Sequence, residues 1–258
     1  MQVWCVLMCV LYITSPTTTS STTTCGNSNN NNNNNNNLQQ QWSTPIHIVD
    51  DALPRSSLAK LVHIAKFLET KYHTITRSNR GEKAWQSHNL LRTKREAEDL
   101  QVKVLVQKIT DVATTFLLDG NQEDDERQID VASVWFNINY EGEGHNIAHT
   151  HSDSVISGVL YVQTDDIAHG GELVLLDPRT QVYALSAYTN WFGMARNKII
   201  DPVVNRMVLF PSFVPHRVET YESNRGSNST HTSSAENCRI SIAFNIRVLE
   251  KDLMLKDE

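Results

Sequence analysis

Three histidines and one carboxylate in this chain fall at spacings that could hold a metal ion. His149, His151 and Asp153 alternate within HTHSD, and His145 stands just upstream. In an extended segment residues i and i+2 point to one side, so His149, His151 and Asp153 would share a face if the segment is extended that far. Any two neighbours could then ligate one ion, and a remote strand must supply a third ligand. His216, in FPSFVPHRV, is the best candidate, with Val214 and Val218 on its face. Pro211 and Pro215 suggest an edge or bulged strand, a common place to aim a side chain at a site. Two histidines and one carboxylate with open positions form the facial triad that holds non-haem Fe(II) for oxygen chemistry.

The segment CRISIAFNI adds a second chemistry. Arg239, Ser241, Ala243, Asn245 and Arg247 share one face of a strand, and Ile240, Ile242, Phe244 and Ile246 share the other. A guanidinium is the natural bidentate partner of a carboxylate, and a hydroxyl two residues away can add a hydrogen bond. Taken alone, a solvent-facing arginine would be the better reading. On a strand following the candidate ligand His216, a carboxylate site is the better one.

Single histidines on strands or helices are more often packed or surface residues than ligands. His47, His63, His73, His88, His169 and His231 are read that way, and His145 stands open between a loop residue and a partner to a ligand. Ser157, Tyr161, Asn137 and Asn245 are candidates to line the same cavity, with packing or ladder roles as the alternative.

These residues need a scaffold. Leu58, Leu61, Val62, Ile64, Ala65 and Leu68 recur at helical spacing after Pro54. Leu105, Ile109, Val112 and Phe116 mark a second helix, closed by Gly120-Asn121 and followed by a polar loop to Arg127. From Ile129 the period becomes two: Val134, Phe136, Ile138 and Tyr140 on one face, Trp135, Asn137 and Asn139 on the other. Val155–Gln163, Glu172–Leu176, Ile199–Val203, Arg206–Phe210, Phe213–Glu219 and Arg239–Arg247 read as further short strands, punctuated by Gly, Pro, Asp and Asn. Many short strands without intervening helices, behind two buttressing helices, predict a mainly β fold: a jelly-roll-like barrel backed by helices.

Composition bounds the rest. The formal net charge is −6 and the basic residues are scattered, which excludes a nucleic-acid footprint. Arg92, Lys94 and Arg95 read as a solvated helix face. Of Cys5, Cys9, Cys25 and Cys238 only the last lies in the expected domain, so no disulfide framework is available there. Residues 1–13 contain the apolar run Val3–Ile13, too short to span a bilayer but of the length of a signal-peptide core. No Lys or Arg precedes it and no clear cleavage site follows. Residues 1–20 therefore leave secretory or organellar targeting and a cytoplasmic location both open. Residues 14–41, rich in Thr, Ser and Asn, are expected to be a disordered linker, with one folded domain over 42–258. Asn228-Ser229-Thr230 is an acceptor sequon of little weight without secretion. Loops 141–148, 180–198 and 222–236 are expected at the mouth of the barrel, where Tyr188, Trp191 and Phe192 are placed as caps on the core in preference to substrate contacts.

The ordered set His-x-Asp, distal His and Arg-x-Ser resembles the iron(II)/2-oxoglutarate-dependent oxygenases. Within them the chain is similar to a subgroup of unassigned reaction whose motif is HxH-x-x-S-x-x-SG. The matching pieces are AWQSHNLL at 84–91, WFNIN, HTHSDSVISGVLYV, the GGELVLLDPR region, VLFPSFVPHRVE and RISIAFN. The subgroup typically reads His-x-His-Pro-x-Ser, with no acid at the position of Asp153; here Ser152 replaces the proline and Asp153 is acidic. Two metal triads stay open: His151, Asp153 and His216, or His149, His151 and His216. A second departure is the insertion Glu222–Glu236, read as a surface loop.

The resemblance implies a double-stranded β-helix, Fe(II) and 2-oxoglutarate as cofactors, and O2 with an organic or peptidyl substrate as partners. It implies that Arg239 and Ser241, with Tyr161 beside them, hold the distal carboxylate of 2-oxoglutarate. The expected reaction is hydroxylation of a substrate C–H with release of succinate and CO2, with no catalytic residue beyond the metal and cosubstrate ligands. Two other readings remain open: a cupin-like metal dioxygenase that does not use 2-oxoglutarate, and a non-catalytic ligand-binding jelly roll.

Overall fold

The computed structural model describes residues 44–72, 79–80, 84–118, 127–142, 144–164, 169–179, 197–222 and 238–250. Trp42–Glu258 forms a compact unit. The expected signal segment (1–13) and linker (14–41), and with them Cys5, Cys9 and Cys25, lie outside the described residues. So do His73, His231, the sequon at Asn228, the loop Gly120–Glu126, residues 180–196 with Tyr188, Trp191 and Phe192, and 223–237.

In chain order the elements are β1 (His47–Val49), α1 (Arg55–Lys71), β2 (Asn79–Arg80), β3 (Ala84–Gln86), a 3-10 turn (Leu90–Arg92), α2 (Lys94–Ala97), α3 (Leu100–Leu118), β4 (Arg127–Tyr140), β5 (His145–His149), β6 (Ile156–Gln163), β7 (His169–Gly170), β8 (Leu173–Leu176), β9 (Asn197–Ile200), β10 (Met207–Pro211), β11 (His216–Val218), β12 (Tyr221–Glu222) and β13 (Cys238–Glu250). A six-stranded sheet runs β1-β10-β6-β13-β4-β3 and a five-stranded sheet runs β2-β5-β11-β8-β9, with every pairing antiparallel; β12 and β7 make a small ribbon. The mainly β jelly roll with flanking helices is the architecture that the short-strand pattern predicts. Among the described residues no helix is long and apolar enough to cross a membrane.

Period-two alternation gives the large sheet two unlike faces. On one, Val134, Phe136 and Ile138 of β4 join Ile156, Leu160 and Val162 of β6 and Ile240, Ile242, Phe244 and Ile246 of β13. They pack on Leu58, Leu61, Ala65 and Leu68 of α1 and Val102, Leu105, Ile109, Val112 and Ala113 of α3. The apolar stripes that predict the helices are the ones that bury against the sheet. Gly158 faces Phe244 across the β6–β13 pair, and a Cβ there would stand 2.3 Å from the phenyl ring, so the missing side chain makes the ring's seat. The opposite face looks toward the small sheet. Tyr161, Val208 and Phe210 meet Leu173, Leu175, Ile200 and Val214 there and form a second core.

Two segments depart from the extended reading. The strand over Phe213–Glu219 begins only at His216, because Phe213 lies in a turn closed by Val214 N–H donating to the Pro211 carbonyl at 3.0 Å. The strand through His149 stops there. Ser152 and Asp153 form a turn, so Asp153 does not continue the face of His149 and is exposed. That turn is held from outside: His151 N–H donates to Ser212 O at 3.1 Å and Ser212 N–H to Val155 O at 3.0 Å. β11 is bulged, as the flanking prolines suggest, but it is an interior strand of its sheet and not an edge.

Candidate metal centre

Strand pairing brings the histidines together. β11 lies antiparallel to β5 with His216 directly opposite His149. His151 follows two residues after the end of β5 and folds back over the same spot. The ring centroids are 4.3 Å apart for His149–His216, 5.0 Å for His149–His151 and 5.2 Å for His151–His216. One ligating atom from each of His149, His151 and His216 lies within 4.8 Å of the others, and Asp153 is not in this group. His145 pairs with Arg80 in the small sheet and is outside the group too. His47 stacks on Phe116 and His88 meets Tyr72 edge-on, the packed roles expected of them.

Backbone carbonyls hold two of the rings. His149 Nδ1 sits 2.7 Å from the Ile147 carbonyl and His216 Nδ1 3.0 Å from that of Val214. A carbonyl only accepts, so each Nδ1 carries a proton, and the neutral form of each ring has its lone pair on Nε2. Burial, with a smaller electrostatic effect from the neighbouring His149 ring, pulls His151 down to about 4. Burial is also the main cause that brings His216 down to about 3, with smaller effects from His149 and His151. Both are neutral at pH 7. Imidazole donors suit Fe, Zn, Cu and Ni, so the set fits an iron site.

These imidazoles open into a cavity of about 200 Å³ whose wall includes Asn137, Tyr161, Arg239, Ser241 and Asn245. Arg239 is 1% exposed, although it is a charged residue. It donates from Nη1 to the Gly171 carbonyl at 2.8 Å and from Nη2 to Asn139 Oδ1 at 2.7 Å. Both partners are neutral oxygens. Gly170 and Gly171 have φ of +79° and +72°, and this tight glycine pair sets the carbonyl that anchors the guanidinium. Arg239 Nε, Tyr161 Oη and Asn137 Oδ1 are buried without a partner among the described residues. Burial holds the Arg239 pKa below its ordinary value and raises the Tyr161 phenol to about 12. A buried cation beside a neutral phenol, with donors to spare, fits an incoming carboxylate.

Residues 133–245 match the sequence model of the family described as "Putative 2OG-Fe(II) oxygenase". The match covers somewhat less than half of the chain. Three similar solved structures carry the same fold at low identity. A prolyl-4-hydroxylase from Pseudomonas putida shares 16% identity over 80% of this chain and 94% of that one, with a TM-score of 0.50. A prolyl hydroxylase from Trichoplax adhaerens, solved with a hypoxia inducible factor peptide fragment, shares 16% over 83% and 87%, at 0.52. A 2OG-Fe(II) oxygenase family oxidoreductase from Burkholderia pseudomallei shares 11% over 78% and 84%, at 0.52. No curated protein matches the chain.

Some of the cavity's wall is not foreseen from sequence: Trp135, Gln86 and Asn146, and the apolar Leu173 and Phe210. Asn139 is the other omission, as the residue that orients Arg239. The alternation of WFNIN carries the signal, since it sets Trp135, Asn137 and Asn139 on the face away from the helices.

Proposed function

We propose that this chain is an Fe(II)- and 2-oxoglutarate-dependent dioxygenase whose metal is held by His149, His151 and His216. The observation that supports it most is the placement of three imidazoles and one buried arginine on the wall of a single cavity. When bound, Fe(II) and 2-oxoglutarate supply the oxidising chemistry: O2 is consumed, 2-oxoglutarate yields succinate and CO2, and one oxygen atom enters a substrate C–H bond.

The chain's own residues set the stage for that reaction. His149 and His216 are locked in the ligating tautomer by their carbonyl partners. Arg239 binds the distal carboxylate of 2-oxoglutarate, and its two neutral anchors fix the guanidinium plane before the anion arrives. Tyr161, kept protonated by burial, donates to that carboxylate, and Ser241, opposite Tyr161 in the β13–β6 pair, adds a hydroxyl. Leu173, Phe210 and Val218 add apolar wall to the cavity and so limit the water in it. The substrate is an organic molecule or a peptidyl side chain.

An all-imidazole triad also favours a second reading, a cupin-like dioxygenase that uses no 2-oxoglutarate; the buried arginine argues against it. The discriminating experiment is succinate formation from 2-oxoglutarate by the full chain with Fe(II), O2 and ascorbate. Turnover lost in both His216→Ala and Arg239→Met is the expected result. Turnover untouched by His216→Ala would remove the proposed centre, and metal binding without any 2-oxoglutarate binding would favour the second reading.

A further inference from the structure

His151 differs from its two neighbours in what holds its ring. His149 and His216 each turn Nδ1 to a carbonyl of the nearby backbone, whereas His151 Nδ1 lies 3.1 Å from the side-chain amide nitrogen of Asn245 on β13. Behind that amide, Ser157 Oγ on β6 is 2.9 Å from Asn245 Oδ1 and 2.8 Å from Ser212 Oγ. Ser157 and Ser212 are fully buried. The result is a polar chain, His151–Asn245–Ser157–Ser212, running from the metal centre into the floor of the barrel.

An amide NH2 facing Nδ1 can only donate. Neutral His151 would then carry its proton on Nε2, with no lone pair there for a metal. Carboxamide oxygen and nitrogen occupy nearly the same volume, so a half-turn of the Asn245 amide reverses the arrangement within the same packing. The oxygen then accepts from His151 Nδ1–H, the amide N–H donates to Ser157 Oγ, and the Ser157 hydroxyl donates to Ser212 Oγ. His151 Nδ1–H, one amide N–H and the Ser157 hydroxyl then each meet an acceptor, and His151 takes the tautomer in which Nδ1 carries the proton, as His149 and His216 do.

We propose that Asn245 is a positioning residue of the metal centre. Its carboxamide oxygen, turned to His151 and backed by Ser157 and Ser212, fixes the tautomer that offers His151 Nε2 to the metal. This rests on the reading of the three histidines as ligands. The test is a Co(II) titration of the full chain, followed by ligand-field absorption, with Asn245→Ala, Asn245→Asp and Ser157→Ala. Asn245→Leu, which fills similar space without a polar atom, takes the place of the alanine variant if that fails to fold. Loss of the acceptor is expected to weaken Co(II) binding about 10–100-fold, the range for partners that orient a ligating histidine. Asn245→Asp, an acceptor at both oxygens, is expected to restore it, and Ser157→Ala to fall between. Equal weakening by Asp and by Ala, or no weakening by Ala, would overturn the assignment. His216→Ala separates the two levels: if it binds Co(II) as the parent does, the ligand reading itself has failed, whatever the Asn245 variants do.

Discussion

The two faces of the large sheet share the same strands and differ in nearly everything else. Toward the helices, β4, β6 and β13 present Phe136, Ile138, Leu160, Ile240, Ile242 and Phe244, all fully buried against α1 and α3. Toward the cavity the same strands present Asn137, Asn139, Ser157, Tyr161, Arg239 and Ser241, which are nearly as buried but polar or charged. Apolar burial stabilises at roughly 25 cal/mol per Å². Burying a guanidinium or an amide without full hydrogen bonding works against folding. The helix side therefore carries the stability that the cavity side spends on a binding site, and substitutions on the two faces should separate stability from function.

The largest expected effect on folding is on the helix side. Phe136→Ala should lower the unfolding free energy by about 3–5 kcal/mol, as removal of a fully buried phenyl does, measured by urea denaturation. Protein that remains folded should still bind Co(II) as the parent does, because Phe136 touches no ligand. On the other face Arg239→Met should reverse the pattern. The thermal midpoint without ligands should not fall, since a buried charge replaced by an apolar chain of similar size is often neutral or stabilising. The apparent affinity for 2-oxoglutarate should fall by about 100-fold or more, the equivalent of the roughly 3 kcal/mol lost when one partner of a buried ion pair is removed. A drop in stability comparable to Phe136→Ala would mean that the two faces do not divide the labour.

A further effect follows from acid. His151 and His216 have folded pKa values of about 4 and about 3, below the ordinary 6.5. The unfolded chain takes up both protons as the pH falls through 6.5, and the folded chain does so only near 4 and 3. Between these limits the unfolded state holds more protons, so stability is full above pH 6.5 and declines as the pH falls toward 3. His216→Ala should flatten that slope in urea melts of metal-free protein. A metal-loaded protein should lose its ion in the same window, because the ligands must stay deprotonated.

Much of the scaffold was legible because its signals are local. The i, i+3, i+4 stripes of α1 and α3 and the alternation of β4 and β13 depend on each segment's own period. Arg239 and Ser241 fell on the cavity face for that reason. The contacts that close the site are not local. Asp153 looked as eligible as His149 by spacing alone, and only the bonds from His151 to Ser212 and from Ser212 to Val155 turn the chain away before it. The pairing of His216 opposite His149 depends on a bulge in β11, and no spacing in FPSFVPHRV encodes it. Likewise Arg239 is oriented by Asn139 and by the Gly171 carbonyl, 100 and 68 residues away in sequence.

The choice between the two triads is the point on which the metal centre turns, and one titration addresses it. Co(II) is added to the full chain and to its His149→Ala and Asp153→Ala variants, and affinity is read from ligand-field absorption. The expected result is that Asp153→Ala binds within about twofold of the parent, as an exposed substitution should, while His149→Ala loses the site. Retention by His149→Ala with loss in Asp153→Ala would contradict the three-imidazole centre and restore the histidine–carboxylate triad.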